Sequence, residues 1–242
     1  MLEGLYAAAS GMEAQQAQFD SVSNDLANVD TPGYQSQILG FHDLLYSNGG
    51  YAGNVPTGAG TAAHVVGRSQ EQGAIQQTGR PLDVAVQGPG YIEVRRPDGT
   101  IGLTRNGVLE MNAQGQLTNQ QGMLLQPPVT IPHGVQPSQV SIAANGAVSA
   151  NGRQIGRIAL VNVPSPDNLT PVGDSMFTAN AASGAIRPAV GATLQQGALE
   201  GSNVDMAQAM SKLVTAQRTY AMASSAIQDQ DQMLQIANEI KP

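Results

Sequence analysis

Near the start of the chain, large apolar residues recur every seven positions, at Leu5, Met12, Phe19 and Leu26, and Ala8, Val22 and Val29 follow three of them by three residues. A mean spacing of 3.5 residues keeps one stripe of a helix apolar, as in a coiled-coil seam. The stripe ends abruptly. Pro32 disfavours helical backbone at Thr31 and Gly33 follows, so the spacing predicts a helix that stops near Asn28.

The far end of the chain repeats the pattern. Met206, Leu213, Tyr220, Ile227 and Leu234 lie seven apart, and Ala209, Ala216, Ala223 and Ala237 follow four of them by three residues. Alternating large and small residues lets a neighbouring helix come close. Asn203 reads as an N-cap and Asp205 as an acidic residue in the first turn. The predicted helix runs from Val204 to about Glu239, about 50 Å at 1.5 Å per residue.

Between the helices the period shortens to two, with turn residues every ~8–12 positions. Strands are predicted at 82–86, 91–95, 101–104, 108–111, 116–118, 123–126, 140–142, 147–150 and 154–163. Pro97-Asp98-Gly99, Asn106-Gly107, Ala113-Gln114-Gly115, Asn145-Gly146 and Asn151-Gly152 read as hairpin turns. The stretch 47–77 is rich in Gly, Ala, Thr and Gln with no sustained period, and reads as an extended linker. The stretch 164–201 is turn-rich, with Met176, Phe177 and Ile186 expected on the β domain.

The fold class is therefore α+β: N- and C-terminal helices paired as a coiled-coil-like assembly domain, with a central antiparallel β domain. The expected boundaries are 1–34 for the first helix, 35–78 for the linker, 79–200 for the β domain with its return segment, and 201–242 for the second helix. Burying one large apolar side chain is worth roughly 1.5–3 kcal/mol. Two helices of one chain leave part of both seams in water, so burial by other copies is expected. The candidate packing residues are Leu5, Met12, Phe19, Val22, Leu26, Met206, Leu213, Tyr220, Ile227 and Leu234.

Composition narrows the function. Charged residues make up 12% of the chain, below the roughly 25% of ordinary soluble proteins. With 11 basic and 18 acidic residues, a net charge of −7 and no Lys/Arg stripe, no nucleic-acid partner is expected. The absence of cysteine excludes disulfides and thiolate metal sites. No basic leader followed by an apolar run occurs, nor any apolar stretch of ~18 residues, so neither Sec export nor membrane insertion is expected.

Candidate chemistry is sparse. His42, His64 and His133 each lack a second ligand at metal-binding spacing. Asp20, Asp25 and Asp30 stand five apart, which spreads them around a helix. Gly88-Pro89-Gly90 precedes a strand, and Pro89 removes a donor that a phosphate loop would need. Ser10, Ser175 and Ser183 lack a nucleophile-elbow context. Met12, Met206 and Met210 fit packing, and Arg95-Arg96 fits the solvated end of a strand. No enzyme activity, metal or cofactor is expected, although catalytic groups that converge only in three dimensions would escape such a reading.

One run is specific. Ser23-Asn24-Asp25-Leu26-Ala27-Asn28-Val29-Asp30-Thr31-Pro32-Gly33-Tyr34 resembles the signature of flagellar rod and hook axial proteins. Asn24, Leu26, Ala27, Asn28, Thr31, Gly33 and Tyr34 carry it, and Ser202, Asn203 and Val204 match the family's opening of the second helix. Phe41 to Tyr46, Arg80 to Val86 with Gly90-Tyr91, Thr104-Arg105-Asn106-Gly107, Gln217 to Tyr220 and Asp231 to Gln235 also resemble the family's internal motifs.

The resemblance implies a subunit stacked helically into the rod, the periplasm-crossing drive shaft that transmits torque, with helices inside and the β domain outside. It implies export by the flagellar type III apparatus without a cleaved signal peptide. The implied partners are copies of itself, other rod and hook proteins, the export apparatus and surrounding ring proteins. Proximal and distal rod types both fit, with the helix motifs closer to the distal type and 47–80 shorter than that type has. A hook-type axial protein and a secreted oligomeric β-domain adhesin are the alternatives.

Overall fold

The computed structural model describes residues 2–44, 58 and 60–239. Leu45 and Tyr46 of the family motif, 47–57 of the expected linker, and the side chains of Leu234 and Ala237 lie outside the described residues. The chain forms two compact units. One is built from α1 (Leu2–Ala27), β1 (Gln37–Asp43), most of β2 (Thr61–Arg68) and α2 (Met206–Glu239). The other comprises 28–36 and 67–204.

In the first unit α1 packs along α2, and β1 and β2 pair as a two-stranded ribbon with β1 against α1. Such a ribbon is marginal alone and needs a surface beneath it. α1 provides one through a small and polar face, where Ser10, Ala14, Ser21 and Asp25 recur at helical spacing. The Thr61 N–H donates to Ser10 Oγ at 3.2 Å and the Gln37 N–H to Asp25 Oδ1 at 3.1 Å. Ser21 Oγ donates to Gln37 Oε1 at 3.2 Å.

The helix end near Asn28 agrees with the sequence expectation, since α1 closes at Ala27. The start of α2 differs. It begins at Met206, and Asp205 caps it, with Oδ1 accepting from the Gln208 N–H at 3.0 Å. Asn203 is not the cap, because its side chain is engaged by Ser36 and by the 69–71 segment.

The second unit is built from short antiparallel strands. Residues 69–74 lead to β3 (Ile75–Gln77), which pairs with β18 (Ala198–Glu200), while β4 (Val84–Gln87) pairs with β17 (Thr193–Gln196). A nine-stranded sheet places β5 (Tyr91–Arg95) beside β6 (Ile101–Thr104), with β7 (Leu109–Met111), β8 (Leu117–Asn119) and β9 (Leu124–Leu125) continuing beyond β5. Then β10 (Val140–Ile142), β11 (Ala147–Ala150) and β12 (Arg153–Arg157) form a separate meander. The remaining members of the large sheet are β13 (Leu160–Asn162), β14 (Thr170–Gly173), β15 (Met176–Thr178) and β16 (Arg187–Pro188).

Consecutive residues of a strand face opposite sides, and β5 uses both. Ile92 joins a core with Leu82, Val84, Leu117, Leu125 and Leu194, whereas Tyr91 joins a second core with Leu103, Val161, Leu169 and Phe177. As expected, Met176 and Phe177 are buried and Ile186 packs on the second core. The Asn151-Gly152 turn joins β11 to β12 with φ of 50° and 77°, as a two-residue hairpin of this kind requires.

Two sequence expectations need correction. Asn106-Gly107 is not a hairpin turn, because β6 pairs with β5 and β15 and not with β7. Gly107 is there for close approach: a Cβ would collide with the Val84 carbonyl, and the Val84 N–H donates to the Gly107 carbonyl at 3.0 Å. The described part of 47–77 also holds β2 and β3, whose partners are supplied by β1 and by β18 rather than by any local period.

Candidate assembly site

Two groups of residues stand out, one in each unit. In the helix pair, Ala209 and Ala216 on α2 are buried, as is Val22 on α1. The large residues of the heptads are covered less. Leu5, Met12, Phe19 and Leu26 are half-buried, as are Leu213 and Ile227. Met206 and Tyr220 remain 50% and 43% exposed, so the chain's own partner helix does not bury the whole seam. Met210 and Val214 extend the exposed apolar surface of α2. Phe19, Ala216 and Tyr220 line a groove of about 220 Å³ between the helices, flanked by Gln15, Gln16 and Gln217.

The second group is a clasp formed by the family-like segments. Gly33 has φ +66°, and its N–H donates to the Glu200 carbonyl at 2.8 Å. A Cβ at Gly33 would collide with the backbone of Arg105 and Asn106, which explains a glycine on two counts. Thr31 Oγ1 donates to Asn28 Oδ1 at 3.1 Å, and the Tyr34 N–H donates to the Thr31 carbonyl at 3.3 Å, closing the turn after Asn28. The buried Tyr34 ring lies 5.5 Å from the Arg68 guanidinium, which also lies 5.6 Å from the Phe177 ring.

Asn203 ties this clasp together. Its Oδ1 accepts from the Ser36 N–H at 2.8 Å, and its Nδ2 donates to the Ser69 and Glu71 carbonyls at 3.1 and 3.0 Å. The Asn203 N–H donates to the Tyr34 carbonyl at 3.2 Å, and the Val204 N–H donates to Ser202 Oγ at 3.3 Å. Asn24 and Ala27, by contrast, are exposed on the last turns of α1.

At the centre lies an ion pair that the sequence did not disclose. Arg105 and Glu200 side chains are each 3% exposed and meet at 2.8 Å. Arg105 also donates to the Gly90 and Gly88 carbonyls, and Glu200 Oε1 accepts from the Gly73 N–H at 3.1 Å. Glu200 Oε2 has no hydrogen-bond partner. Burial pushes the Glu200 carboxyl above the usual glutamate range, with Arg105 and the Gly73 N–H opposing. Burial likewise raises the Tyr91 phenol, whose hydroxyl contacts Gln35 and Gln70.

The one available signal was compositional. In a chain poor in charge, Arg105 lies inside one family-like motif and Glu200 two residues before another. Among the described residues no cluster of three or more His, Cys, Asp or Glu could hold a metal. Within the same residues no helix is long and apolar enough to cross a membrane. The histidines do not all stand alone as their sequence spacing suggests, because His42 and His64 meet across the ribbon.

Three family profiles match the chain in order. Residues 5–35 match "Flagella basal body rod protein", 85–150 the "Flagellar hook protein FlgE/F/G D1 domain", and 195–240 the "Flagellar basal body rod FlgEFG protein C-terminal". Among curated relatives, the chain is 37% identical to the flagellar basal-body rod protein FlgG of Caulobacter vibrioides, covering 99% of this chain and 100% of that protein. It is 34% identical to FlgG of Borreliella burgdorferi, covering 100% of this chain and 99% of that one. With the flagellar basal-body rod protein FlgF of Escherichia coli it shares 30% identity over 90% of each.

Proposed function

Because the chain belongs to the flagellar basal-body rod protein family, we propose that it is a structural, non-catalytic subunit of the rod, of the FlgG type. It resides in the flagellar basal body, works there with other rod and hook proteins, and assembles with copies of itself through its terminal helices. Export through the flagellar type III apparatus and passage through the surrounding rings follow from that placement. The observation that carries the assembly reading is the incomplete seam: Ala209 and Ala216 are buried within the chain while Met206 and Tyr220 stay exposed. Neighbouring helices would bury what remains of Leu5, Met12, Phe19, Leu26, Leu213 and Ile227, with Leu234 joining the contact and Val22, already buried within the chain, supporting it.

The test is assembly in a strain lacking the native gene, scored by motility and by basal-body isolation. Leu213→Asp and Ile227→Asp place a carboxylate in the seam, and Tyr220→Asp does so at a position the single chain leaves 43% exposed. An unpaired buried charge costs several kcal/mol, so none of the three should complete a rod. Gln228→Asp, exposed and about 100° around the helix from Ile227, should assemble. Normal motility in all three seam variants would refute the assembly reading.

A further inference from the structure

We propose that His42 and His64 form a binding site for one borderline transition-metal dication, Zn²⁺, Ni²⁺ or Cu²⁺, that clips β1 to β2. The two residues are 22 positions apart in the chain, yet their Nδ1 atoms lie 3.2 Å apart and their ring centroids 5.0 Å apart. At that separation one Nδ1 donates and the other accepts while the rings are neutral. The same separation suits a shared ion. With metal–nitrogen bonds of about 2.0–2.1 Å, it corresponds to an N–metal–N angle of about 99–106°, close to the tetrahedral value of about 109°.

The strand backbone holds one ring in place. A Cβ at Gly40 would fall 3.2 Å from His64 Cε1 and 2.5 Å from the Val66 side chain, so the missing side chain at Gly40 leaves the room that the His64 ring occupies. Both rings are exposed, which leaves a path for the ion. No third His, Cys, Asp or Glu of the described residues joins them. Two positions on the metal are therefore filled by water. Imidazole selects Zn²⁺, Ni²⁺ and Cu²⁺ over the hard cations Mg²⁺ and Ca²⁺, and Cu²⁺ should bind tightest of the three.

The experiment is calorimetric titration of the full-length protein, stripped with chelator, with each metal salt near neutral pH. One ion per chain is expected, with Cu²⁺ bound tightest and no uptake of Mg²⁺. His42→Ala or His64→Ala should each weaken binding by about tenfold or more, and His133→Ala should leave it unchanged. Circular dichroism verifies that each variant stays folded, and His42→Gln repeats the test with a side chain of similar bulk. The Cu²⁺ complex should show two coupled nitrogens by electron paramagnetic resonance, falling to one in either single variant. Binding that survives in the His42→Ala/His64→Ala double variant, or no binding above that variant's level, would overturn the proposal.

Discussion

Replacing Arg105 by Met tests the clasp at its centre. Both members of the Arg105–Glu200 pair are 3% exposed and meet at 2.8 Å. Removing one partner of such a pair costs about 3–5 kcal/mol, because the other is left charged and buried. For a domain of about 150 residues each kcal/mol lowers Tm by about 2–4 °C, so the melting point should fall by about 6–20 °C. The pH dependence separates this cause from a simple loss of packing. Arg105 is what restrains the upward push of burial on the Glu200 carboxyl. Without it the folded state, whose carboxyl already titrates above the usual glutamate range, takes up its proton at still higher pH than the unfolded chain does. Stability must then rise as pH falls from neutral toward the ordinary glutamate range, and fall again as pH rises through the folded value. Arg105→Met should accordingly recover part of its deficit in acid. Glu200→Gln should not, since the arginine left behind stays charged throughout. The double variant should lose less than the sum of the two. Urea denaturation of the full-length protein, followed by circular dichroism from about pH 5 to pH 8, measures all three. An Arg105→Met deficit under about 1 kcal/mol, or one that grows in acid, would refute the reasoning.

Gly33→Ala should destabilise by more than about 1 kcal/mol, since φ is +66° and the added methyl meets backbone that cannot swing away; the same denaturation series reads it. Asn203→Ala removes three side-chain hydrogen bonds, a loss of about 1.5–4.5 kcal/mol at 0.5–1.5 each. Asp205→Ala removes only the helix cap, worth about 1 kcal/mol, so a melt in which Asp205→Ala proves the more damaging would reverse the roles assigned to these two residues.

Local patterns were legible where local physics decides the outcome. The seven-residue repeat and the Thr31-Pro32-Gly33 stop located α1, and turn residues located the β5–β6 and β11–β12 hairpins, because helix ends and tight turns depend on a few adjacent residues. What stayed hidden depends on pairing at long range. Nothing near Asn203 in the sequence announces bonds to Ser36, Ser69 and Glu71, so from its neighbours alone a competent N-cap residue reads as a cap. Gly107 looked like a turn residue because a turn and a close backbone approach both favour glycine. The heptads reveal which residues are apolar together, but not that Ala209 and Ala216 are buried within the chain while Met206 and Tyr220 stay exposed. His42 and His64 meet only because β1 pairs with a strand whose alternation is too weak to read.

The clasp also has a topological consequence. The second unit holds the chain at 28–36, gives it up to the ribbon at 37–66 and takes it back over 67–204, and the passages at 33–36, 69–71 and 200–203 are hydrogen-bonded to one another. The places where the chain enters and leaves this unit are thus neighbours, the condition under which a domain sits in a host without stretching it. Strands away from these crossings could be lengthened or shortened, provided Gly33, Asn203 with its Ser69 and Glu71 partners, and the Arg105–Glu200 pair are kept. Variation among axial proteins of this architecture should therefore accumulate in the strands away from these crossings and leave the crossings themselves unchanged.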